Sequence, residues 1–224
     1  MDPIICTVDV VLLTLSDGAL HVALRRRERE PFRGELALPG GYVHADADAD
    51  DLDAAVRVLR DKAGIESPYL EQLATFAGAS RDPRGWSVSI AWYALVAPEV
   101  IERAAHPQVR LRAVDALRAL PFDHARIVAA AVERVRSKST YSSLPVHLCP
   151  ERFTLPQLQA VYEAVLGEPI DKVSFRRKMG ELGVLEPIVG QRLTGGAHRP
   201  AQLYRVRGAA RRALSTMARG LNAG

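Results

Sequence analysis

The sequence predicts an α/β protein, of the α+β type with a mixed sheet and helices, followed by a small domain built as helix, turn, helix and two-stranded wing. Three observations lead to this prediction. Strand-like runs rich in Val, Ile, Thr and Leu occur between residues 4 and 96, with helix-like runs among and after them. A serine-rich stretch with Pro145 and Pro150 interrupts this order. Beyond it, two helix-like segments precede two short extended segments.

The first part begins with a predicted β-hairpin. Residues 4–15 and 20–24 are strand-like, and the turn signal Ser16-Asp17-Gly18 separates them. The other elements predicted here are strands at 73–76 and 87–96, a helix at 52–63 and a helix at 123–138.

The helix predicted over residues 52–63 carries positions that matter for function. Its apolar residues recur at helical spacing, and Gly64 follows as a C-terminal stop signal. The predicted apolar stripe consists of Leu52, Ala55, Val56, Leu59 and Ala63. We therefore expect these five side chains to face the core.

The second part opens with a capping box, in which Thr154 and Gln157 satisfy each other's backbone donors. Helices are predicted from there to Gly167 and over residues 171–182, and a Gly-rich basic loop separates two extended segments. This order is that of a winged helix-turn-helix. The predicted boundaries are a first domain at 1–140, a linker at 141–150 and the winged domain at 151–224.

Charge divides the chain unevenly. Residues 145–224 hold 12 basic and 6 acidic side chains, a net charge of +6, whereas the rest of the chain carries −2. A basic domain after a near-neutral one indicates a polyanionic partner for the second part.

Cys6 and Cys149 have no metal or redox spacing. No apolar run reaches membrane-spanning length and no signal peptide is evident, so we expect a cytoplasmic protein.

The segment 41–65 resembles the Nudix box, whose second half reads Arg-Glu-aliphatic-any-Glu-Glu-any-Gly-aliphatic. Residues 57–65 align with it without a gap. In an intact box three glutamates at i, i+3 and i+4 share one helix face and hold Mg²⁺ against a diphosphate. Here those positions are Val58, Asp61 and Lys62. Valine binds no hard cation and an ammonium repels one, so we expect no resident metal and no hydrolysis.

The whole chain is similar to the Nudix-related transcriptional regulators of NAD metabolism, the NrtR family. The motifs that carry this resemblance are residues 31–34, 38–41, 75–76, 81–85 and 122–124, with the basic winged domain behind them. The resemblance implies a dimeric repressor that binds a palindromic operator in double-stranded DNA. It also implies a non-hydrolysing Nudix domain that needs no cofactor and senses ADP-ribose or a related nucleotide.

The candidate ligand residues follow from this resemblance and from guanidinium chemistry, because arginine forms bidentate bonds with phosphate. Phe32 and Trp86 are candidates for stacking on adenine, and Arg57 is expected to pair with Asp61 across one helical turn. The full predicted ligand set is Arg27, Phe32, Arg33, Gly40, Gly41, Arg57, Asp61, Arg81 and Arg84.

The helix predicted over 171–182 has an apolar back and a basic front, the layout of a recognition helix. The Gly-rich loop that follows fits a wing tip that approaches the DNA backbone or minor groove. The predicted DNA-binding residues are Lys172, Ser174, Arg176, Arg177, Lys178, Arg192, His198 and Arg199.

Two alternatives remain open at this stage. The first is an active Nudix hydrolase, an ADP-ribose pyrophosphatase, with an accessory C-terminal domain; Val58 and Lys62 argue against it. The second is a winged domain that binds protein instead of DNA, and the +6 charge of residues 145–224 argues against that.

Overall fold

The chain folds into two compact units in a computed structural model that describes residues 3–67, 69–193, 200–211, 214–217 and 220–221. The first unit comprises residues 1–14 and 20–134, and the second comprises residues 15–19 and 135–224. Within the described ranges, no helix combines the length and the apolar character needed to cross a membrane.

A seven-stranded sheet forms the centre of the first unit. Its strands are β1 (Ile5–Ser16), β2 (Ala19–Arg26), β3 (Leu36–Ala37), β4 (Gly40–Tyr42), β5 (Leu70–Gly78), β6 (Ser87–Leu95) and β7 (Val109–Ala113). The order is β3-β2-β1-β6-β5, with β4 added to β1 and β7 added to β2. Because β1 and β6 run parallel while β5 and β6 run antiparallel, the sheet is mixed, as predicted.

The first helix, α1 (Asp51–Ala63), is bounded by the residues that its sequence provides. Asp50 caps its N-terminus by accepting from the Asp53 backbone N–H, and Gly64 ends it with φ 67°, a left-handed conformation that glycine adopts without strain. The predicted apolar stripe is partly wrong, because Leu52 and Val56 are exposed. The buried face consists of Ala54, Ala55, Val58, Leu59 and Ala63. Val58, a metal position of the box, is therefore a core residue.

Two further helices complete the elements around this sheet: α2 (Pro98–Ala104), which the sequence did not indicate, and α3 (His124–Ser139), which was predicted within one residue. Short strands β3, β4 and β7 were also not predicted. Each has five residues or fewer, too short for an alternating pattern to stand out.

The second unit contains a winged helix-turn-helix. Its elements are a 3₁₀ helix (Leu144–Leu148), β8 (Phe153–Thr154), α4 (Leu155–Leu166), α5 (Lys172–Leu182), β9 (Leu185–Leu193), β10 (Ala201–Val206) and a second 3₁₀ helix (Gly208–Arg211). The strands form a sheet in the order β8-β10-β9. Both halves of the predicted capping box are present at Thr154. The core includes an edge-to-face pair of Tyr162 and Phe175, whose ring centroids lie 5.3 Å apart.

The segment predicted as a linker, residues 141–150, is a structured part of the second unit. Residues 142–149 are all buried, and Val146 and Cys149 belong to the core of that unit. Tyr162 donates a hydrogen bond from its hydroxyl to the Ser142 carbonyl at 2.9 Å. The serines and prolines of this segment indicated a linker, but the segment forms turns and a 3₁₀ helix. Ser143 precedes this 3₁₀ helix, and Pro145 lies in its first turn.

Candidate functional sites

A cavity of about 580 Å³ opens in the first unit, a size typical of small-molecule sites. Charged groups of both signs line it together with aromatic rings and backbone. The lining residues are Thr7, Asp9, Arg25, Arg27, Glu28, Arg29, Glu30, Leu38, Gly40, Gly41, Tyr42, His44, Arg57, Lys62, Arg81, Asp82, Arg84, Phe122 and His124.

The backbone of β4 borders the cavity beside Asp9, a buried carboxylate on β1. Gly40 lies opposite Asp9 in the β1–β4 ladder, and a Cβ on Gly40 would lie only 2.0 Å from Asp9 Oδ1. Only glycine fits there. His124 fixes the same corner, because its Nδ1 accepts from the Leu38 backbone N–H at 3.0 Å while its Nε2 lies 3.5 Å from Asp9 Oδ1. Burial lowers the pKa of His124, so the ring is neutral and its proton sits on Nε2.

Arg81 is a buried guanidinium held by several partners. Its Nη2 donates to Asp123 Oδ1 at 2.9 Å and lies 3.7 Å from Asp9 Oδ2, while Nη1 donates to the Ser87 hydroxyl at 3.2 Å. Asp123 immediately precedes α3, so this network joins the start of that helix to the sheet. The position of Arg81 is therefore fixed before any ligand arrives.

Arg84 is also pre-positioned. Asp82 accepts two bonds from its side chain, at 2.9 Å from Nε and 2.6 Å from Nη2, and these bonds raise the pKa of Arg84. Its Nη1 donates to the Tyr42 hydroxyl at 2.5 Å. The guanidinium carbon lies 5.5 Å from the Tyr42 ring centre and 6.0 Å from that of Phe122.

Phe122 sits between cations at the cavity wall. Arg27 lies over its ring at 4.8 Å, and Phe32 meets it edge to face with centroids 5.0 Å apart. Phe122 and Phe32 both have positive φ, 58° and 64°, which is costly for a bulky residue. Burial and the neighbouring Arg84 charge lower the pKa of Arg27.

Arg57 pairs with Asp48, in the acidic loop of residues 44–50 that precedes α1, and not with Asp61, which corrects the predicted pairing. Two bonds of 2.7 Å join its Nε and Nη2 to the Asp48 carboxylate, and Nη2 also donates to the Tyr42 carbonyl at 2.9 Å. The Asp48 side chain is only 2% exposed, and the Arg57 bonds lower its pKa strongly. The loop is thus tied to α1, and Asp48 has no free oxygen pair for a cation.

The three box positions face different environments. Val58 is buried in the core, and Asp61 is exposed and bonded to the neighbouring Arg60 at 3.0 Å. Of the three, Lys62 alone lines the cavity. The residues present do not fit Mg²⁺, and among the residues that the structure describes no cluster of three or more His, Cys, Asp or Glu side chains could hold a metal ion.

Most of the predicted ligand residues meet at this cavity. Arg27, Gly40, Gly41, Arg57, Arg81 and Arg84 line it. Arg33 and Asp61 do not, since both are exposed and Asp61 turns toward Arg60. Phe32 reaches the wall only through Phe122, and Trp86 is not among the lining residues. Asp9, Tyr42 and His124 were missed, although His124 stands in one of the motifs that carried the resemblance.

The second candidate site is the exposed face of α5. Lys172, Arg176 and Arg177 are all exposed, as predicted for the front of a recognition helix. Ser174 is half-buried, and its backbone N–H donates to the capping Asp171 at 2.8 Å, which fixes the start of the helix. Phe175 and Met179 on the opposite face belong to the core.

The structure corrects the prediction that Lys178 binds DNA. Its side chain is 2% exposed and its Nζ donates to the Gly220 carbonyl, so it anchors α5 within the unit and cannot contact DNA from there. At ~100° per residue, position 178 falls on the side of Phe175 and Leu182, away from Arg176. Arg192 is exposed on β9, in the wing. His198 and Arg199 lie outside the described residues.

Comparison with known proteins agrees with both halves of this description. Residues 145–206 match the model of the family described as the NrtR DNA-binding winged helix domain. A curated relative from Acinetobacter baylyi, the ADPR responsive transcriptional repressor NtrR, is 40% identical over 204 residues, covering 89% of this chain and 80% of the relative.

Two solved structures extend the match to both units. The crystal structure of Shewanella oneidensis NrtR complexed with a 27mer DNA superposes with a TM-score of 0.88 at 36% identity, covering 97% of this chain and 99% of that one. The Nudix domain of the same protein complexed with ADP ribose matches with a TM-score of 0.54 at 35% identity, covering 60% of this chain and 90% of that one. The chain belongs to the NrtR family of Nudix-related transcriptional regulators.

Proposed function

We propose that this chain is a transcriptional repressor whose Nudix domain senses ADP-ribose or a close relative and whose winged domain binds operator DNA. The observation that carries the proposal is the pairing, in one chain, of an arginine-lined cavity with an exposed basic recognition helix. Relatives at 36 to 40% identity are described as an ADPR responsive repressor and as an NrtR bound to DNA. By the same resemblance, the regulated genes are those of NAD metabolism.

The cavity chemistry suits a dinucleotide-like diphosphate. Arg27, Arg81 and Arg84 line it with guanidinium groups, which bind phosphate through two parallel charge-assisted bonds. The acidic lining residues Glu28 and Glu30 are acceptors suited to ribose hydroxyls. The rings of Tyr42 and Phe122 supply apolar faces for a base.

The sensor is proposed to bind without hydrolysing, because the box positions no longer provide oxygen ligands for a metal. Lys62 lines the cavity where an intact box presents a glutamate, and its ammonium supplies positive charge without a metal ion. Nucleotide affinity is therefore expected to be the same in EDTA and in Mg²⁺. Lys62→Met should weaken ADP-ribose binding equally in both buffers. Arg60→Met, on the exposed side of the same helix, should leave binding unchanged.

An assay of AMP and ribose phosphate release decides between this proposal and the hydrolase alternative. The expected result is no release above background from ADP-ribose with Mg²⁺ or Mn²⁺. Metal-dependent turnover on the order of 1 per second, an ordinary enzyme rate, contradicts the proposal.

Repression that responds to a nucleotide requires a coupling free energy between the two sites. A ligand shifts the protein off DNA only if it binds the DNA-free arrangement more tightly. Couplings of ~1–3 kcal/mol are common and correspond to affinity changes of roughly 5- to 150-fold. We expect ADP-ribose to weaken operator binding by a factor in that range, and operator DNA to weaken ADP-ribose binding by the same factor.

Calorimetric titration of ADP-ribose, with and without saturating duplex selected from random DNA, measures this coupling. Equal affinities in the two titrations would remove the regulatory half of the proposal, and absence of ADP-ribose binding in both would remove the sensor. We propose that the protein is a two-fold dimer. The selected duplex should therefore be palindromic, with half-sites spaced about 34–36 Å apart or a multiple of that.

A further inference from the structure

Val173 is the most exposed large apolar side chain on a helix of the second unit that the structure describes. It is the second residue of α5 and is 76% exposed. The core of this unit does not include it, although the core takes Phe175 and Met179 from the same helix. Packing within the described residues therefore does not account for a valine at this position.

The neighbours of Val173 on the helix surface are the two exposed arginines. At ~100° per residue, Arg177 lies about 40° to one side of Val173 and Arg176 about 60° to the other. Gly180, two turns along, is exposed, and outside its own helix no atom of the residues that the structure describes lies within 4 Å of where its Cβ would be. The centre of the exposed face of α5 thus combines an apolar side chain, two guanidinium groups and a position without a side chain, where another molecule can approach closely.

Only one base in DNA offers an apolar group in the major groove, the 5-methyl group of thymine. Arginine beside it is suited to guanine, whose O6 and N7 accept two bonds. We propose that Val173 reads the methyl group of a thymine in each half-site while a flanking arginine contacts a neighbouring base or phosphate. This inference rests on the proposed function, in which α5 is the DNA-reading helix.

Two features make valine effective in this role. Its position in the first turn is the part of a recognition helix that contacts base edges in this class of proteins. As a β-branched residue in a helix it has essentially one χ1 rotamer, so it loses little side-chain entropy when it meets a methyl group. Burial of one methyl group increases affinity roughly fourfold.

The test removes the methyl group from either side of the contact. The full chain first selects a duplex from random DNA, and each thymine of that duplex is then replaced in turn by deoxyuridine, which lacks only the 5-methyl group. Binding is measured for the parent, for Val173→Ala and for Val173→Thr. Val56→Ala, an exposed helical valine of the first unit, serves as the matched control.

One deoxyuridine position per half-site should weaken parent binding roughly fourfold. Val173→Ala should bind the unmodified duplex more weakly by a similar factor and should no longer respond to deoxyuridine there. Val173→Thr should keep part of the response, and Val56→Ala all of it. If no thymine position loses its effect in Val173→Ala, while Arg176→Ala still weakens binding, this inference is wrong and the proposed function stands. If the full chain selects no duplex, both are wrong.

Discussion

The basic side chains of the two sites are held in opposite ways. In the cavity, Arg57, Arg81 and Arg84 each have a carboxylate partner, supplied by Asp48, Asp123 and Asp82. On α5, Lys172, Arg176 and Arg177 are exposed, and no residue that the structure describes forms an ion pair with them. Basic side chains thus serve once as paired donors in a cavity and once as exposed charges on a helix surface.

The difference follows from what each site has to bind. The contacts of a small ligand offset only a limited loss of side-chain entropy, so donors that are already ordered increase the affinity for it. Double-stranded DNA is a long polyanion, and much of its affinity comes from release of counterions when exposed cations approach the phosphates. The cavity therefore contains buried charges, and these must remain paired if the protein is to stay stable.

The largest effect is expected when a fixed arginine is removed. Arg81→Ala leaves the buried carboxylate of Asp9 and the half-buried carboxylate of Asp123 without their cation, and loss of one partner of a buried pair costs about 3–5 kcal/mol in free energy of unfolding. Urea denaturation at pH 7 measures this loss. The control is Arg60→Ala, whose pair with Asp61 is exposed, for which the change should stay within about 0.5 kcal/mol. Similar values for the two variants would contradict the distinction between buried and exposed arginines.

Removal of an exposed arginine on α5 should have the opposite effect: it should weaken DNA binding and leave the free energy of unfolding nearly unchanged. Arg176→Ala and Arg177→Ala should each reduce affinity for the selected duplex at least several-fold, with the unfolding free energy within about 0.5 kcal/mol of the parent. Fluorescence anisotropy at several salt concentrations measures both affinity and salt dependence. A variant that loses a phosphate contact should bind all sequences more weakly and lower the salt slope by about 1. Arg103→Ala, exposed on α2, is the control. Unchanged binding by both α5 variants would refute the recognition-helix assignment.

A smaller effect should appear as a pH dependence of the first unit. Burial lowers the pKa of His124, an effect that Arg81 and Arg27 reinforce and that Asp9 and Asp123 oppose. The unfolded chain therefore binds a proton at His124 below about pH 6.5 that the folded chain does not bind. Stability must then fall as the pH drops below that value.

Unfolding free energies at pH 7 and 5.5 test this expectation. The parent should lose up to about 1 kcal/mol more than His124→Gln between these two values. His44→Gln, at an exposed ring, should behave like the parent. A parent that loses no more than His124→Gln would show that the ring is protonated in the folded protein.

The sequence by itself determined the main elements, the two-part organisation and most of the cavity's arginines. Local signals were sufficient where the physics is local. Thr154 and Gln157 form the predicted capping box, and α3, α4 and α5 lie within one residue of their predicted bounds. Arg81 and Arg84 stand in one of the motifs of the resemblance, Arg27 was a candidate for its guanidinium group, and all three line the cavity.

Only the tertiary structure decided which face of a helix is buried and which partner a charged group finds. Leu52 and Val56 follow helical spacing as well as Val58 does, yet the sheet covers the face with Val58. Arg57 bonds with Asp48, nine residues away, and Lys178 lies buried against Gly220 instead of facing DNA. Helical periodicity constrains spacing within one element, whereas burial and ion pairing depend on segments that the chain brings together from elsewhere.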